Sequence, residues 1–378
     1  MFTHNSYRRE YKLLGYGTEI SYSMYRRIYL LVSLSLFISC SQLKNRDTQC
    51  DFTDADFEVE NMSVNGAEQI ETGYIALKKP SKLQFINDSI LAVADSKGQN
   101  LLWLINHKRN LTTSVLSRGE GPEDLIELTT ITYPNDELNV AGLNDGKILR
   151  FDIEMDSLNI RFIGGVKVPY QPLRSVMIDD SVVFSLAPTY SGHRYNLFNM
   201  NDSTVEYIDE FPMDSIYLGA EPDNMFMQSD IDITPDGKLI VIANRFWPVI
   251  ELFDVTNQKI KRLMGPVVSD AKVIKEYFGE SYSYVQKPRW YMWDGVVATS
   301  NTIYIGYNGY VRRNDENDNV KDAVTKIYSF DTQGRPQKIY TFDMPILSFT
   351  VDEENGIIFI VHDEEESRIM KYKLSTIR

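Results

Sequence analysis

Six repeats of one turn-and-strand pattern, a high aromatic content, and strand runs that are apolar on both faces predict an all-β chain folded as a six-bladed β-propeller. In the first repeat Asn87-Asp88-Ser89 precedes ILAVAD, and LLWLI follows at 101–105. In the second, Pro134-Asn135-Asp136 precedes ELNVAG, with KILRFD at 147–152. The third sets Asp179-Asp180-Ser181 before VVFSLA, with YNLFN at 195–199. The fourth is the clearest: Thr234-Pro235-Asp236-Gly237, then KLIVIAN, then VIELFDV at 249–255. The fifth carries Ser300-Asn301, TIYIGY and KIYSFD at 326–331. The sixth carries Glu354-Asn355-Gly356, IIFIVH and RIMKYKL at 368–374.

The turn positions 88, 136, 180, 236, 301 and 355 recur every 44–65 residues. That spacing suits four antiparallel strands per unit, with inserted loops where it lengthens. Runs such as Leu239 to Ile242 and Ile357 to Val361 do not alternate. A strand sandwiched between neighbouring blades is buried on both faces, whereas a half-exposed strand alternates. Tyr and Phe, 23 and 18 of them, favour such pleated surfaces. A two-sheet sandwich would not need six equivalent units. The chain ends after the third strand of the sixth unit, so an N-terminal strand is expected to close the last blade and cover its edge. The first choice is Gly73 to Leu77 and the second is Phe57 to Asn61.

Ahead of the repeats lies an address. Met24-Tyr25-Arg26-Arg27 is a short basic start, and Ile28 to Ile38 is an uncharged, mostly apolar run that stops at Ser39-Cys40. The run suits a signal-peptide core and is too short to span a bilayer as a helix. Polar sequence begins at once after Cys40. The arrangement resembles a bacterial lipobox, with Phe37 in place of the usual Leu, and implies that Cys40 is lipidated. Met24 reads as the true start. The expected organisation is therefore 1–39 as upstream extension and signal peptide, 40–56 as a polar tether containing a free thiol at Cys50, and 57–378 as the propeller.

Bulk composition narrows the functions. A net charge of −14 argues against a nucleic-acid partner, which needs a basic surface. Two cysteines supply no disulfide framework, and the scattered His4, His107, His193 and His362 make no zinc motif.

Three segments carry a family resemblance: Ser39-Cys40, Tyr74-Ile75-Ala76-Leu77, and Arg118-Gly119-Glu120-Gly121-Pro122-Glu123, which is similar to a Gly-x-Gly-Pro-x-Glu turn. Over about residues 57–378 the chain resembles the TolB-like six-bladed β-propeller lipoproteins of Gram-negative bacteria, and more loosely the NHL-type propellers. The resemblance implies a fold and an outer-membrane lipoprotein location in the cell envelope, periplasmic or surface-facing. It transfers no catalytic residue.

Loops between second and third strands share one rim with the connections between blades. Asp95-Ser96-Lys97, Asn144-Asp145, Tyr190 to Arg194, Asn244 to Trp247, Tyr310 to Arg313 and His362 to Glu366 are expected there. The candidate ligand-binding residues are Arg245, Trp247, Asn244, Tyr190, His193, Arg194, Arg118 and Glu123, because an aromatic ring stacks on a sugar and an arginine clamps a carboxylate. Each also has a plain structural reading, Trp247 as packing and Arg118 to Glu123 as a shaped turn. Val273 to Phe278 reads as a short helix with Tyr282, Tyr284, Trp290, Tyr291 and Trp293 behind it, a lid or a cover. Asp315 to Asn319 has oxygen ligands for calcium without the EF-hand spacing, so no cofactor is expected.

Two functions follow. One is a binding or scaffold lipoprotein, membrane-held through Cys40, for a glycan, peptide or envelope protein. The alternative is a metal-dependent lactonase- or lyase-like enzyme with carboxylates in the central channel, for which Glu123, Asp179, Asp230 and Asp294 are nominated.

Overall fold

The computed structural model describes residues 51–72, 77–87, 89–143, 146–186, 193–210, 228–245, 249–265, 273–278, 281–286, 289–310, 324–362 and 368–375. They form six four-stranded sheets arranged as a propeller. Listed from the inner strand outward, blade 1 is Pro80–Asn87, Ile90–Asp95, Asn100–Asn106 and Leu111–Ser117. Blade 2 is Leu128–Thr132, Leu138–Gly142, Lys147–Glu154 and Asn159–Lys167. Blade 3 is Arg174–Met177, Val182–Leu186, His193–Asn199 and Thr204–Glu210. Blade 4 is Ser229–Ile233, Leu239–Asn244, Val249–Asp254 and Lys259–Met264. Blade 5 begins with Arg289–Ala298, Thr302–Tyr310 and Val324–Asp331. Its outer strand continues unbroken into the inner strand of blade 6 as Pro336–Asp352, followed by Ile357–His362 and Ile369–Lys373. Each inner strand touches those of the two neighbouring blades, so the six close a ring.

The doubly apolar strands are explained by where alternate side chains go. In blade 1, Ile90, Ala92 and Ala94 pack toward blade 2, while Leu91 and Val93 pack toward blade 6. In blade 4, Ile240 and Ile242 join the core with blade 3, and Val241 and Ala243 the core with blade 5. One apolar cluster fills each of the six blade interfaces. Burying one such side chain stabilises by about 1.5–3 kcal/mol.

The repeated turn residues act through their side chains. Asn87 Oδ1 accepts the N–H groups of Ser89 and Ile90, and Asp179 Oδ1 those of Ser181 and Val182. Such Asx turns reverse the chain in few residues. Gly237 sits at φ +70°, where an L side chain is strained.

Ring closure uses an N-terminal strand, placed differently from the sequence expectation. Glu68–Gln69 pairs with Ile369–Lys373 as the fourth strand of blade 6, and Ile70 N–H continues the ladder to Ile369 O at 2.8 Å. Residues 73–76 of the preferred segment lie outside the described residues. The second choice adds to a different blade: Glu58–Met62 runs parallel to Lys338–Phe342 as a fifth strand of blade 5. Residues 51–56, expected in a tether, are bound to the same region. Phe52 and Phe57 pack edge-on against Phe330, and Asp54 accepts from Tyr328 Oη at 2.5 Å and Lys326 Nζ at 3.0 Å.

The expected helix at Val273 to Phe278 is instead a strand. It pairs antiparallel with Ser281–Gln286 to form a separate two-stranded ribbon between blades 4 and 5. A partner strand one short turn away outcompetes a marginal six-residue helix. Among the described residues no helix is long and apolar enough to cross a membrane.

Candidate functional site

Chain connections divide the ring into two unlike faces. On one face, every link between a blade's first and second or third and fourth strands is two to five residues long. On the other face the strands end at Ser117, Leu186, Glu210, Met264 and Tyr310, and the next blade strand begins only at Leu128, His193, Ser229, Arg289 and Val324. A rigid scaffold with long connections on one side places variable contact surface there.

Several nominated residues hold that face together. Arg118 donates to Ile126 O at 2.5 Å and Ser96 O at 2.8 Å, stapling two loops. A Cβ on Gly119 or Gly121 would stand 2.6 or 2.5 Å from Asp124 Oδ2, so the glycines admit the Asp124 carboxylate. Lys147 Nζ caps the turn through Gly121 O and Asp124 O, while Glu123 is exposed. Asp95 is buried and accepts from the backbone N–H groups of Lys78, Lys79, Lys97 and Gly98. His362 is also buried, between Pro345 O and Tyr372 Oη. Arg245 is half-buried, with its backbone N–H on Gln228 O at 2.9 Å and Nη1 3.4 Å from Gln228 Oε1. Asn244 is buried, 3.4 Å from Ser229 Oγ. His193 opens its strand opposite Glu210, its side chain outside the described residues; Tyr190 and Trp247 lie outside them altogether.

Arg194 faces inward, not onto the rim. It is 4% exposed and clasps Glu251 of blade 4 through Nε at 2.9 Å and through Nη2. Arg262 adds a third contact to Glu251 at 3.0 Å. Burial opposes ionisation of Glu251, but Arg194, Tyr195 and Arg262 outweigh it and hold the carboxyl below its usual range.

A second charged cluster lies on the inner strands, and of its members only Asp230 is nominated by the sequence. Lys82 Nζ of blade 1 donates to Asp230 Oδ1 of blade 4 at 3.2 Å, with both side chains buried. Blades 1 and 4 stand opposite one another in a ring of six, so this bond crosses the axis. Arg174 of blade 3 stands 3.9 Å from the same oxygen. Asp230 Oδ2 and Asp232 Oδ2 accept the N–H groups of Val296 and Ala298 at 2.9 and 2.8 Å, joining blades 4 and 5. Ser348 and Thr350 do the same for Leu83 and Phe85, joining blades 6 and 1. Burial pushes Asp232 up to about 7 against the pull of Ala298 N–H and Lys82. The period-two pattern Asp230-Ile231-Asp232 was the available signal, since it sets two carboxylates on one side of a strand.

Of the acids nominated for a metal, the three whose side chains are described do not converge. Asp230 is in the axial cluster, Asp179 caps a turn on the short-turn face, and Glu123 is on the rim. The Asp294 side chain lies outside the described residues. Among the described residues no group of three or more His, Cys, Asp or Glu is placed to hold a metal ion.

A family model described as TolB-like 6-blade propeller-like matches residues 57–354. The chain belongs to that family. No curated protein matches it in sequence. Among solved structures, a Bacteroides fragilis protein inferred to be exported is 11% identical, with a TM-score of 0.51 over 86% of this chain and 100% of its own. A DUF4221 family member from Bacteroides vulgatus is 11% identical, TM-score 0.46, over 81% of this TolB-like chain and 94% of its own. An auxiliary nutrient binding protein from Bacteroides thetaiotaomicron is 12% identical, TM-score 0.44, over 78% and 69%. At such identities the likeness is one of fold.

Proposed function

We propose that this TolB-like propeller is a binding or scaffold lipoprotein of the cell envelope, anchored in the outer membrane through Cys40, whose loop-rich face engages a glycan, peptide or protein. The observation that carries the reading is the asymmetry of the connections. Short turns finish one face, and the longer chain separations between blade strands all begin at strand ends on the other. The location rests on the basic start, the apolar run and Ser39-Cys40. The enzymatic alternative would draw on Asp230 and Asp232, and these are engaged with Lys82, Val296 and Ala298 of the protein itself.

Full-length protein screened against glycan and peptide libraries should bind one class. Replacing both Arg245 and Trp247 with Ala should weaken that binding about fivefold or more, as loss of one aromatic stack costs about 1 kcal/mol, with the melting temperature nearly unchanged. In cells, Cys40→Ser should move the protein out of the membrane fraction. Stoichiometric divalent metal with lactone turnover, and no captured ligand, would overturn the binding reading. Persistent membrane association of the Cys40→Ser variant would overturn the anchor.

A further inference from the structure

The turn that links the two N-terminal strands carries a reactive pair. Asn65-Gly66 sits in the single tight turn Val64–Gly66, between Glu58–Met62 on blade 5 and Glu68–Gln69, which closes blade 6. We propose that Asn65 is a modification site, where spontaneous deamidation and isomerisation loosen the closure of the ring.

The reaction needs only this dipeptide and water. The Gly66 nitrogen, deprotonated by hydroxide, attacks Asn65 Cγ. A C–N bond forms, the Cγ–Nδ2 bond breaks, and ammonia leaves with a proton from water, giving a cyclic imide. Water then opens the imide. Attack at the side-chain carbonyl restores the main chain with an aspartate. Attack at the main-chain carbonyl gives isoaspartate, in which the chain runs through the side-chain carbon and is one carbon longer. Glycine in the following position favours the first step, because no Cβ shields its nitrogen and its backbone bends freely.

The structure separates this pair from the other Asn-Gly pairs of the chain. Asn65 and Gly66 are both exposed, and a Cβ added at Gly66 would meet nothing within 4 Å. Among the described residues the Asn65 amide makes no hydrogen bond, so its Cγ is free to turn. What opposes attack is the bond from Gly66 N–H to Ser63 O at 3.0 Å, and an exposed bond in a single turn opens at little cost. At Asn355-Gly356 the amide is pinned instead. Asn355 Nδ2 donates to Asp352 Oδ2 at 2.8 Å and its N–H to Asp352 Oδ1 at 3.0 Å. Asn308-Gly309 lies within the extended backbone of Thr302–Tyr310.

The position gives the change its consequence. Glu68 and Gln69 pair with Lys371 and Met370, and Ile70 N–H adds one bond to Ile369 O at 2.8 Å. So short a ladder depends for its register on the connection ahead of it. A connection one carbon longer no longer delivers Glu68 to the same place. The new carboxylate also stands between Glu68 and a turn capped by Asp343, which accepts from Ser63 Oγ at 2.6 Å and Val64 N–H at 3.0 Å, so like charges gather there. Loosening Glu68–Gln69 uncovers the edge of blade 6.

The test is to age full-length protein in detergent and mildly alkaline buffer, and to follow it by peptide mass mapping with isoaspartate-specific enzymatic methylation. Asn65 should gain one mass unit and become methylatable, at a rate that rises with pH. Asn355 should change about tenfold or more slowly, the rate equivalent of the charge-assisted hydrogen bond that pins its amide. Gly66→Ala, which has open space for its methyl group, should lose the change over the same interval. The aged parent should melt at a lower temperature than fresh protein, whereas aged Gly66→Ala should melt as fresh. If the alanine variant does not fold, Asn65→Gln takes its place, since the longer side chain disfavours the cyclic imide. The proposal is overturned if Asn65 keeps its mass, changes no faster than Asn355, changes equally in the variant, or changes fully with no fall in melting temperature.

Discussion

Blade 4 buries three carboxylates on strands of the same sheet and treats two of them, Glu251 and Asp232, in opposite ways. Glu251, on Val249–Asp254, has two guanidinium partners, Arg194 and Arg262, and stays ionised below the usual carboxyl range. Asp232, on Ser229–Ile233, has the N–H groups of Ala298 and Ile233, and shares the field of Lys82 with Asp230, which takes the direct bond. Its carboxyl rises to about 7. Burial is the same in both places, so burial is not what separates them. What differs is how much opposite charge lies against each oxygen. A buried acid keeps its charge when a cation is bound to it, and gains a proton when it is left mainly with backbone dipoles.

Breaking the well-compensated site should have the largest effect. Arg194→Met removes the Nη2 contact and the 2.9 Å Nε contact to Glu251, leaving that carboxylate buried with one cation, Arg262, and the Tyr195 hydroxyl. A loss of about 3–5 kcal/mol at pH 7 is expected in urea unfolding. Adding Glu251→Leu should restore part of it, because an apolar pair tolerates burial that a lone charge does not. A single-variant loss below about 1 kcal/mol would mean that the pair is not buried in solution. The pH direction also follows. Glu251 is depressed in the folded state, so its contribution is present above the unfolded carboxyl range and fades as pH falls through the folded value.

Lys82→Met tests the axial cluster and should cost less, about 2–3 kcal/mol at pH 8. The cost should shrink at pH 5, below the raised value of Asp232, where that carboxyl takes up a proton. The titration midpoint of Asp232, followed by carboxyl NMR, should move above about 7, since Lys82 is one of the groups pulling it down. A midpoint that stays or falls would show that Lys82 does not act on Asp232.

The smallest and sharpest change is Asp232→Asn. Because the folded carboxyl is raised, the native state holds more protons than the unfolded chain between about pH 4 and 7. Stability therefore declines as pH rises through that window, by at most about 1.4 kcal/mol per pH unit from this one group. Asparagine keeps an acceptor for Ala298 N–H and removes the titration, so that component of the slope should vanish. Unfolding curves measured from pH 4 to 8 that keep the parent's slope would assign the decline to another group.

Much of the fold was legible in the chain, for a local reason. A strand between two blades must be apolar on both faces, and a tight turn of small polar residues or glycine must follow each inner strand, so both features repeat in sequence whenever they repeat in space. The third strand of the last blade, Ile369–Lys373, could be placed this way, and with it the need for an N-terminal closing strand. Which residues close it could not, because Glu68–Gln69 is too short for any period and is picked out only by the edge it meets. Val273 to Phe278 has apolar residues one helical turn apart, and only its pairing with Ser281–Gln286 makes it a strand. The same limit governs charge. Arg194 reads as a rim arginine until Glu251 is packed against it, and Lys82 and Asp230 become partners only when the ring brings opposite blades together. Sequence determined which segments are strands of a repeated unit, because that is fixed by neighbours along the chain. The tertiary structure decided which polar groups are paired and which are protonated, because that depends on the charges and dipoles that folding brings within a few ångströms.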